Sequence, residues 1–102
     1  MSISEFMTEQ FVIIRDEIIN GIPSRVFDSH EFIRFFSKRF ETKYVEILSS
    51  YKDEPFRNVH SQIGKFLSEH QEGLKIKSIG TIMSKNIFGI DNSNEKWEKT
   101  CL

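Results

Sequence analysis

The amino-acid sequence predicts a mainly α-helical domain with a C-terminal β-hairpin, an α+β fold. Apolar residues recur at the helical period in four stretches of the first 71 residues. After Gly73 they alternate with polar residues instead, which is the period of a strand. A chain of 102 residues is long enough for one hydrophobic core, so we expect residues 1–102 to form a single domain.

The first predicted helix spans about residues 4–20. Ser2 and Glu5 have the spacing of a capping box, which satisfies free backbone groups at a helix start. Asn20-Gly21 is typical of a helix end, because glycine adopts the left-handed conformation readily. Apolar residues cover much of the circumference of this helix, so residues 4–20 could also form the face of a homodimer.

Residues 22–27 are predicted to be a linker or a short extended segment held by Pro23. Two helices follow, at about 29–40 and 42–51. Thr42 could cap the second of them, since threonine favours helix starts. No glycine or proline enforces the break, so residues 29–51 could also form one continuous helix.

A stripe of phenylalanines lies on the helix predicted at 29–40. Phe32, Phe36 and Phe40 follow one another at four-residue intervals and therefore share a side of the helix. Such a stripe usually packs into the core, and the alternative is a groove for a partner, since aromatic residues are enriched at interfaces. We expect the core.

The fourth predicted helix spans about residues 58–71. Pro55 marks a break before it, Asn58 is the expected N-cap, and Gly73 is expected to end it. One side of this helix is apolar and should face the core. That side is formed by Val59, Ile63, Phe66 and Leu67.

The β element is predicted at about residues 74–100. A strand at 74–83, with Gly80 as a candidate bulge, should pair with a second strand at 95–100. Turn-forming residues at 84–86 and 91–94 flank an apolar island, Ile87–Ile90. This island either folds back on the core or is offered to a partner.

The sequence contains none of the motifs that indicate phosphate-binding loops, zinc proteases, thiol redox sites or serine hydrolases. His30, His60 and His70 are too scattered to suggest a metal site, and we expect surface or capping roles for them. The single cysteine, Cys101, allows no intramolecular disulfide, which fits a reducing compartment. We therefore expect no catalytic residue, no metal, no cofactor and no enzymatic activity.

The N-terminal segment has no basic region followed by an apolar run, so it does not resemble a signal peptide. No apolar run approaches the length of about 18 residues that indicates a membrane span. We expect a cytoplasmic protein without a membrane partner. The absence of alanine is typical of an AT-rich genome, and a bacterial or phage source would fit.

The order of the elements resembles a winged helix-turn-helix domain over most of residues 28–100. In that family the helix before the hairpin is commonly the recognition helix, and the hairpin is the wing. The resemblance implies that the helix at 58–71 enters the major groove of double-stranded DNA, while hairpin lysines contact phosphates. The candidate DNA-binding residues are Arg57, Asn58, Ser61, Gln62, Lys65, Lys75, Lys77 and Lys85.

Two functions are compatible with these features. The first is a small regulatory module that binds nucleic acid, favoured because the exposed residues of the helix at 58–71 are mostly not the Glu/Lys mixture of an ordinary surface. The alternative is a non-enzymatic protein-interaction module, such as an inhibitor, an antitoxin-like protein or an accessory subunit. It would use the acidic side of the helix at 4–20 and the Ile87–Ile90 tip.

Overall fold

A computed structural model describes residues 2–100, which form six α-helical segments and a three-stranded antiparallel sheet. The mixed α+β class predicted from the sequence is therefore confirmed. Cys101, which carried the expectation about disulfides, lies outside the described residues. The helical segments are α1 (Ile3–Glu9), α2 (Phe11–Ile13, continued by a π-helix at Ile14–Ile19), α3 (Ser29–Arg39), α4 (Glu41–Ser49), α5 (Pro55–Glu69) and α6 (Gln71–Leu74). The strands are β1 (Val26–Asp28), β2 (Ile76–Lys85) and β3 (Asp91–Lys99).

The predicted helix at 4–20 is helical but not one α-helix. It begins with the predicted capping box: the Glu5 backbone N–H donates to Ser2 Oγ at 3.1 Å, and the Ser2 N–H donates to Glu5 Oε1 at 2.9 Å. The helix breaks at Gln10 and then winds as a π-helix. In a π-helix residue i+5 comes to the same side as residue i, so Ile14 and Ile19 both reach the core.

The core uses the apolar side of this N-terminal segment. Val12 stays exposed and Phe11 and Ile13 are half-buried, whereas the other apolar positions are buried against the rest of the chain. Most of the surface suggested for a homodimer is therefore covered within one chain, and the homodimer stays a prediction. The buried side chains are Ile3, Phe6, Met7, Ile14, Ile18 and Ile19.

Residues 29–49 form two helices rather than one, and the break falls at Phe40, one residue before the predicted position. The Phe40 ring packs on Phe6 at 5.0 Å and on Phe36 at 5.2 Å between centroids. This aromatic packing, rather than a cap at Thr42, accompanies the break, since α4 has no side-chain cap. Phe36 is fully buried, as is Phe32, which confirms the core assignment of the stripe.

Helix α5 begins at Pro55, three residues before the predicted start, because proline suits the first turn of a helix. Asn58 is therefore inside the helix and is not its N-cap. The predicted end was also wrong, since α5 ends at Glu69 and α6 follows after His70. Gly73 does not end the helix, and a side chain there would place its Cβ 2.8 Å from the ring of Phe11.

The sheet has the order β1-β3-β2, and both strand pairs are antiparallel. Strand β1 includes residues that the sequence had indicated only as a linker or a short extended segment, and it pairs Val26 with Glu98. The predicted bulge is confirmed: Gly80 has φ +119°, and the register of β2 against β3 shifts between Ser78 and Thr81.

The hairpin turn lies at residues 86–90, and the predicted turn at 91–94 is wrong because these residues pair in β3. Asn86 organises the turn. Its Oδ1 accepts hydrogen bonds from the backbone N–H of Phe88 at 2.9 Å and of Ile90 at 3.2 Å. One asparagine thus closes the hairpin, so the polar residues after Ile90 are free to extend the strand.

None of the helices described within residues 2–100 is long and apolar enough to cross a membrane. The buried core gathers side chains from the N-terminal segment, α3, α4, α5 and the sheet. Its largest fully buried members are Trp97, Phe27, Phe32, Phe36 and Phe66.

Candidate nucleic-acid interface

Helix α5 buries the predicted apolar side and leaves its opposite side in solvent. Arg57, Ser61 and Lys65 follow at four-residue intervals on that outer side, and all three are exposed. No aspartate or glutamate occurs between Pro55 and Ser68. The outer side of α5 is therefore positively charged and free of carboxylates along most of its length.

The two predicted DNA-binding residues with side-chain amides, Asn58 and Gln62, both have hydrogen-bond partners inside the protein. Asn58 Nδ2 donates to the carbonyl oxygens of Asp53 at 2.8 Å and Glu54 at 3.2 Å. Gln62 Nε2 donates to the Tyr51 hydroxyl at 2.7 Å. Both amides join α5 to the segment before it, so any base contact would compete with these bonds.

Of the three predicted hairpin lysines, Lys77 and Lys85 lie in β2 and Lys75 lies one residue before it. Lys77 pairs with Glu98 at 3.2 Å, and Lys85 pairs with Asp91 at 3.7 Å. Lys75 stands at the end of α6 in the left-handed conformation, with φ 59°. Lys75 and Lys85 are about 30 Å apart along the strand, so they cannot contact the same phosphate. The assignment of all eight residues to DNA contact stays a prediction.

A cleft of about 810 Å³ separates α5 from the hairpin. The cleft wall from α5 carries Phe56 besides small and polar side chains, the hairpin contributes amides, a carboxylate and two aromatic rings, and α3 contributes a histidine near its start. Sequence reasoning did not find this cleft, because its walls come from three distant segments. The lining residues include Phe56, Arg57, His60, Gly64, Phe88, Asn92, Glu95, Trp97 and His30.

The hairpin tip folds back toward the start of α5. The ring of Phe88 meets that of Phe56 edge to face, with centroids 4.8 Å apart and planes at 87°. Ile87 packs against the core. Fold-back on the core, one of the two outcomes expected for the apolar island, thus holds for Ile87, whereas 54% of Phe88 and 62% of Ile90 are exposed.

A hydrogen-bond network fixes the start of α3 to the hairpin. Asn94 Oδ1 accepts from the His30 backbone N–H at 3.0 Å, and Asn94 Nδ2 donates to Ser84 Oγ at 3.0 Å. Ser84 Oγ also shares a hydrogen bond of 2.9 Å with His30 Nδ1. Nearby, Trp97 Nε1 donates to Ser29 Oγ at 2.9 Å. The wall of the cleft that holds His30 is therefore well ordered.

His60 is half-buried beside the cleft, and the surface or capping role expected for it is wrong. Its Nε2 shares a hydrogen bond with the Tyr44 hydroxyl, and the two rings stack with their planes 7° apart. Burial, with a smaller effect of the His30 charge, lowers the pKa of His60 to about 4. Burial raises the pKa of Tyr44 to about 12. Both groups are neutral at pH 7, so His60 offers hydrogen bonds rather than charge.

Gly64 is an unusual residue in the cleft wall, because it sits in the middle of α5, where glycine disfavours the helix. A Cβ built at Gly64 would have no neighbour within 4 Å. We expect Gly64→Ala to raise the free energy of unfolding by about 0.5–1 kcal/mol, since alanine is the better helix former. Urea unfolding monitored by circular dichroism measures this, and an unchanged or lower stability would contradict it.

Comparison with protein-family models, curated proteins and solved structures finds no match to this chain. Within residues 2–100 no group of three or more His, Cys, Asp or Glu side chains is arranged to hold a metal ion.

Proposed function

We propose that the protein is a small regulatory module that binds nucleic acid with a winged-helix-like arrangement. The observation that carries this proposal is the outer side of α5, which is exposed, positively charged and free of carboxylates from Pro55 to Ser68. This helix directly precedes the hairpin, apart from one turn of α6. Helix α5 would contact base edges and the hairpin would contact the flanking backbone.

The dimensions of α5 suit the major groove of DNA. Its 15 residues make a rod of about 22 Å, and a groove about 12 Å wide admits one α-helix. Arg57 and Ser61 would lie nearest to the hairpin, while Lys65 lies further along the exposed side. The ion pair of Arg57 with Glu54, at 3.5 Å, is exposed and weak, so a phosphate could replace it.

Lys65 is the sharpest probe of this proposal, because its side chain is exposed on the outer side of α5. We expect Lys65→Ala to weaken binding to all duplex sequences and to reduce the slope of log K against log salt by about 0.9. Fluorescence polarisation with mixed-sequence duplex DNA at about 50 and 200 mM salt measures both effects. The matched control is Lys38→Ala, which removes an exposed lysine from α3.

Two results would refute the DNA proposal. One is an absence of binding at about 50 mM salt and tens of micromolar protein, where even non-specific binding is measurable. The other is an equal loss in Lys65→Ala and Lys38→Ala, because that would reflect net charge rather than a site on α5.

The second candidate function is a protein-interaction module, and the exposed apolar side chains of the hairpin favour it. Ile79, Met83, Phe88 and Ile90 are all exposed on β2 and its turn. Exposed apolar residues that cluster on one element mark interaction surfaces. This candidate would replace the first if the DNA titration gives no binding.

A further inference from the structure

We propose that the cleft between α5 and the hairpin binds a single unpaired nucleotide, with its base against Phe56 and Phe88 and its phosphate at Arg57. The proposal rests on the proposed function, because it names the form of nucleic acid that the protein recognises. Such a nucleotide would come from a single strand, from a base turned out of a duplex, or from solution.

The size and the wall of the cleft point to a ligand. Its volume of about 810 Å³ lies in the range of about 300–1,000 Å³ that is typical of small-molecule sites. Gly64 lines it in mid-helix, although alanine there would meet no atom of the protein. Packing within the chain thus gives no reason for glycine, whereas close approach of a bound group to the helix backbone does.

The aromatic pair at the mouth of the cleft provides a stacking surface. Phe56 and Phe88 pack on each other and still expose 40% and 54% of their surface. The turn holds Phe88 in place through the two hydrogen bonds of Asn86, so the ring is positioned before any ligand arrives. Bases stack on aromatic side chains with little dependence on sequence, because every base has a π-face.

Hydrogen-bonding groups surround this stacking surface. His30 uses Nδ1 and His60 uses Nε2 within the protein, and among the described residues no partner contacts the other nitrogen of either ring. Asn92 adds a side-chain amide to the same cleft. Imidazole nitrogens and amides can both donate to and accept from the edge of a base.

The charges of the cleft place the phosphate at one side. Arg57 supplies the guanidinium, which binds phosphate in a planar, bidentate manner. Glu95 is the carboxylate that lines the cleft, and it accepts a hydrogen bond from the Ser78 hydroxyl. Repulsion by Glu95 keeps the phosphate near Arg57, and its carboxylate can accept from an exocyclic amino group of the base.

Trp97 is the only tryptophan of the chain and lines the cleft, so its fluorescence reports occupancy. We would titrate the protein with adenosine 5′-monophosphate, adenosine and ribose 5-phosphate. The monophosphate should change the fluorescence in a saturable manner, adenosine should bind several-fold more weakly, and ribose 5-phosphate should bind least. If the single-stranded tetranucleotide d(A)₄ binds more tightly than the monophosphate, the bound nucleotide belongs to a single strand. If the two ligands bind with equal affinity, the ligand is the free nucleotide. Both results support the pocket.

Two variants test the location of the pocket. Gly64→Leu fills the cleft from the helix side, and Phe88→Ala removes half of the stacking surface at an exposed tip. Each variant should lower the affinity for adenosine 5′-monophosphate at least tenfold. The control is Phe35→Ala, which removes a phenylalanine with 39% exposure from α3 and should bind as the unmodified protein does. Circular dichroism and thermal unfolding establish that each variant is folded. If Gly64→Leu does not fold, Phe88→Ala alone tests the location of the pocket.

The pocket proposal is overturned if several millimolar monophosphate leaves the Trp97 fluorescence unchanged, or if folded Gly64→Leu or Phe88→Ala binds like the unmodified protein. The two proposals fail separately. Duplex binding without nucleotide binding would remove the pocket and keep the duplex-binding role of α5. Nucleotide binding without duplex binding would keep the pocket and remove that role.

Discussion

Replacing Phe36 with alanine should lower the free energy of unfolding by about 3–5 kcal/mol, the usual range for truncating a buried phenylalanine. Phe36 is fully buried and its ring lies within 5.2–6.5 Å of the rings of Phe6, Phe32, Phe40 and Tyr44. The substitution removes these aromatic contacts as well as apolar area, and it leaves a cavity between α1, α3 and α4. Because small domains are stable by only about 5–15 kcal/mol, the variant should be close to unfolding.

Urea unfolding measured by circular dichroism and by Trp97 fluorescence would test this expectation. Phe35→Ala is the matched control, since the same residue type is removed from the neighbouring position with 39% exposure. We expect the control to lose less than about 1 kcal/mol. A loss below about 1 kcal/mol in Phe36→Ala would mean that the aromatic cluster is not the centre of the core.

The helices α3 and α5 and the hairpin could be predicted because their signals are local. Phe32 and Phe36 share a helix side by spacing alone, and the change of period after Gly73 marks the start of the β element. Gly80 could be identified as a bulge because a glycine inside a strand pattern often marks one. In each case the information lies within about ten neighbouring residues.

Elements set by distant contacts could not be predicted in the same way. Strand β1 has three residues, too few to show an alternating pattern, and it forms because β3 supplies a pairing edge about 70 residues later. The break at Phe40 is accompanied by packing against Phe6, which belongs to another helix and is 34 positions away in the sequence. The helix start at Pro55 was a missed local signal, since proline at the first helical position is common.

In the candidate site, too, some features are set by local sequence and others by contacts between distant residues. The exposed positions of α5 followed from the helical period, and Arg57, Ser61 and Lys65 are exposed as expected. The cleft did not follow, because only the fold brings His30 and His60 to the same cleft, and Phe88 reaches Phe56 only when the hairpin folds back. The glycine within the helical pattern at position 64 was the one local signal that could have indicated it.

Acidification should destabilise the protein between about pH 6.5 and pH 4, and His60 should be the main cause. The folded-state pKa of His60 is about 4, below the ordinary value of 6.5 that applies to the unfolded chain. The unfolded chain therefore binds more protons in this window, and stability falls as pH falls through it. Since His60 keeps partial contact with water, we expect a loss of about 1–2 kcal/mol by pH 4.5, less than the pKa difference would give in a dry site.

His60→Gln isolates this effect, because glutamine can still bond the Tyr44 hydroxyl but does not titrate. The variant should be less stable than the unmodified protein at pH 7.5, where the stacking of His60 on Tyr44 is lost, and should lose less stability on acidification. Hydrogen bonds lower the pKa values of the Glu5 and Asp16 carboxylates, so both also lose stabilisation on acidification, but this contribution is the same in the two proteins and cancels in the comparison. Urea titrations at pH 7.5, 6.0 and 4.5, with the His60 pKa followed by NMR, measure the difference. Parallel losses in the two proteins over this range would show that the proton is taken up elsewhere and that the Tyr44–His60 pair does not control the response to pH.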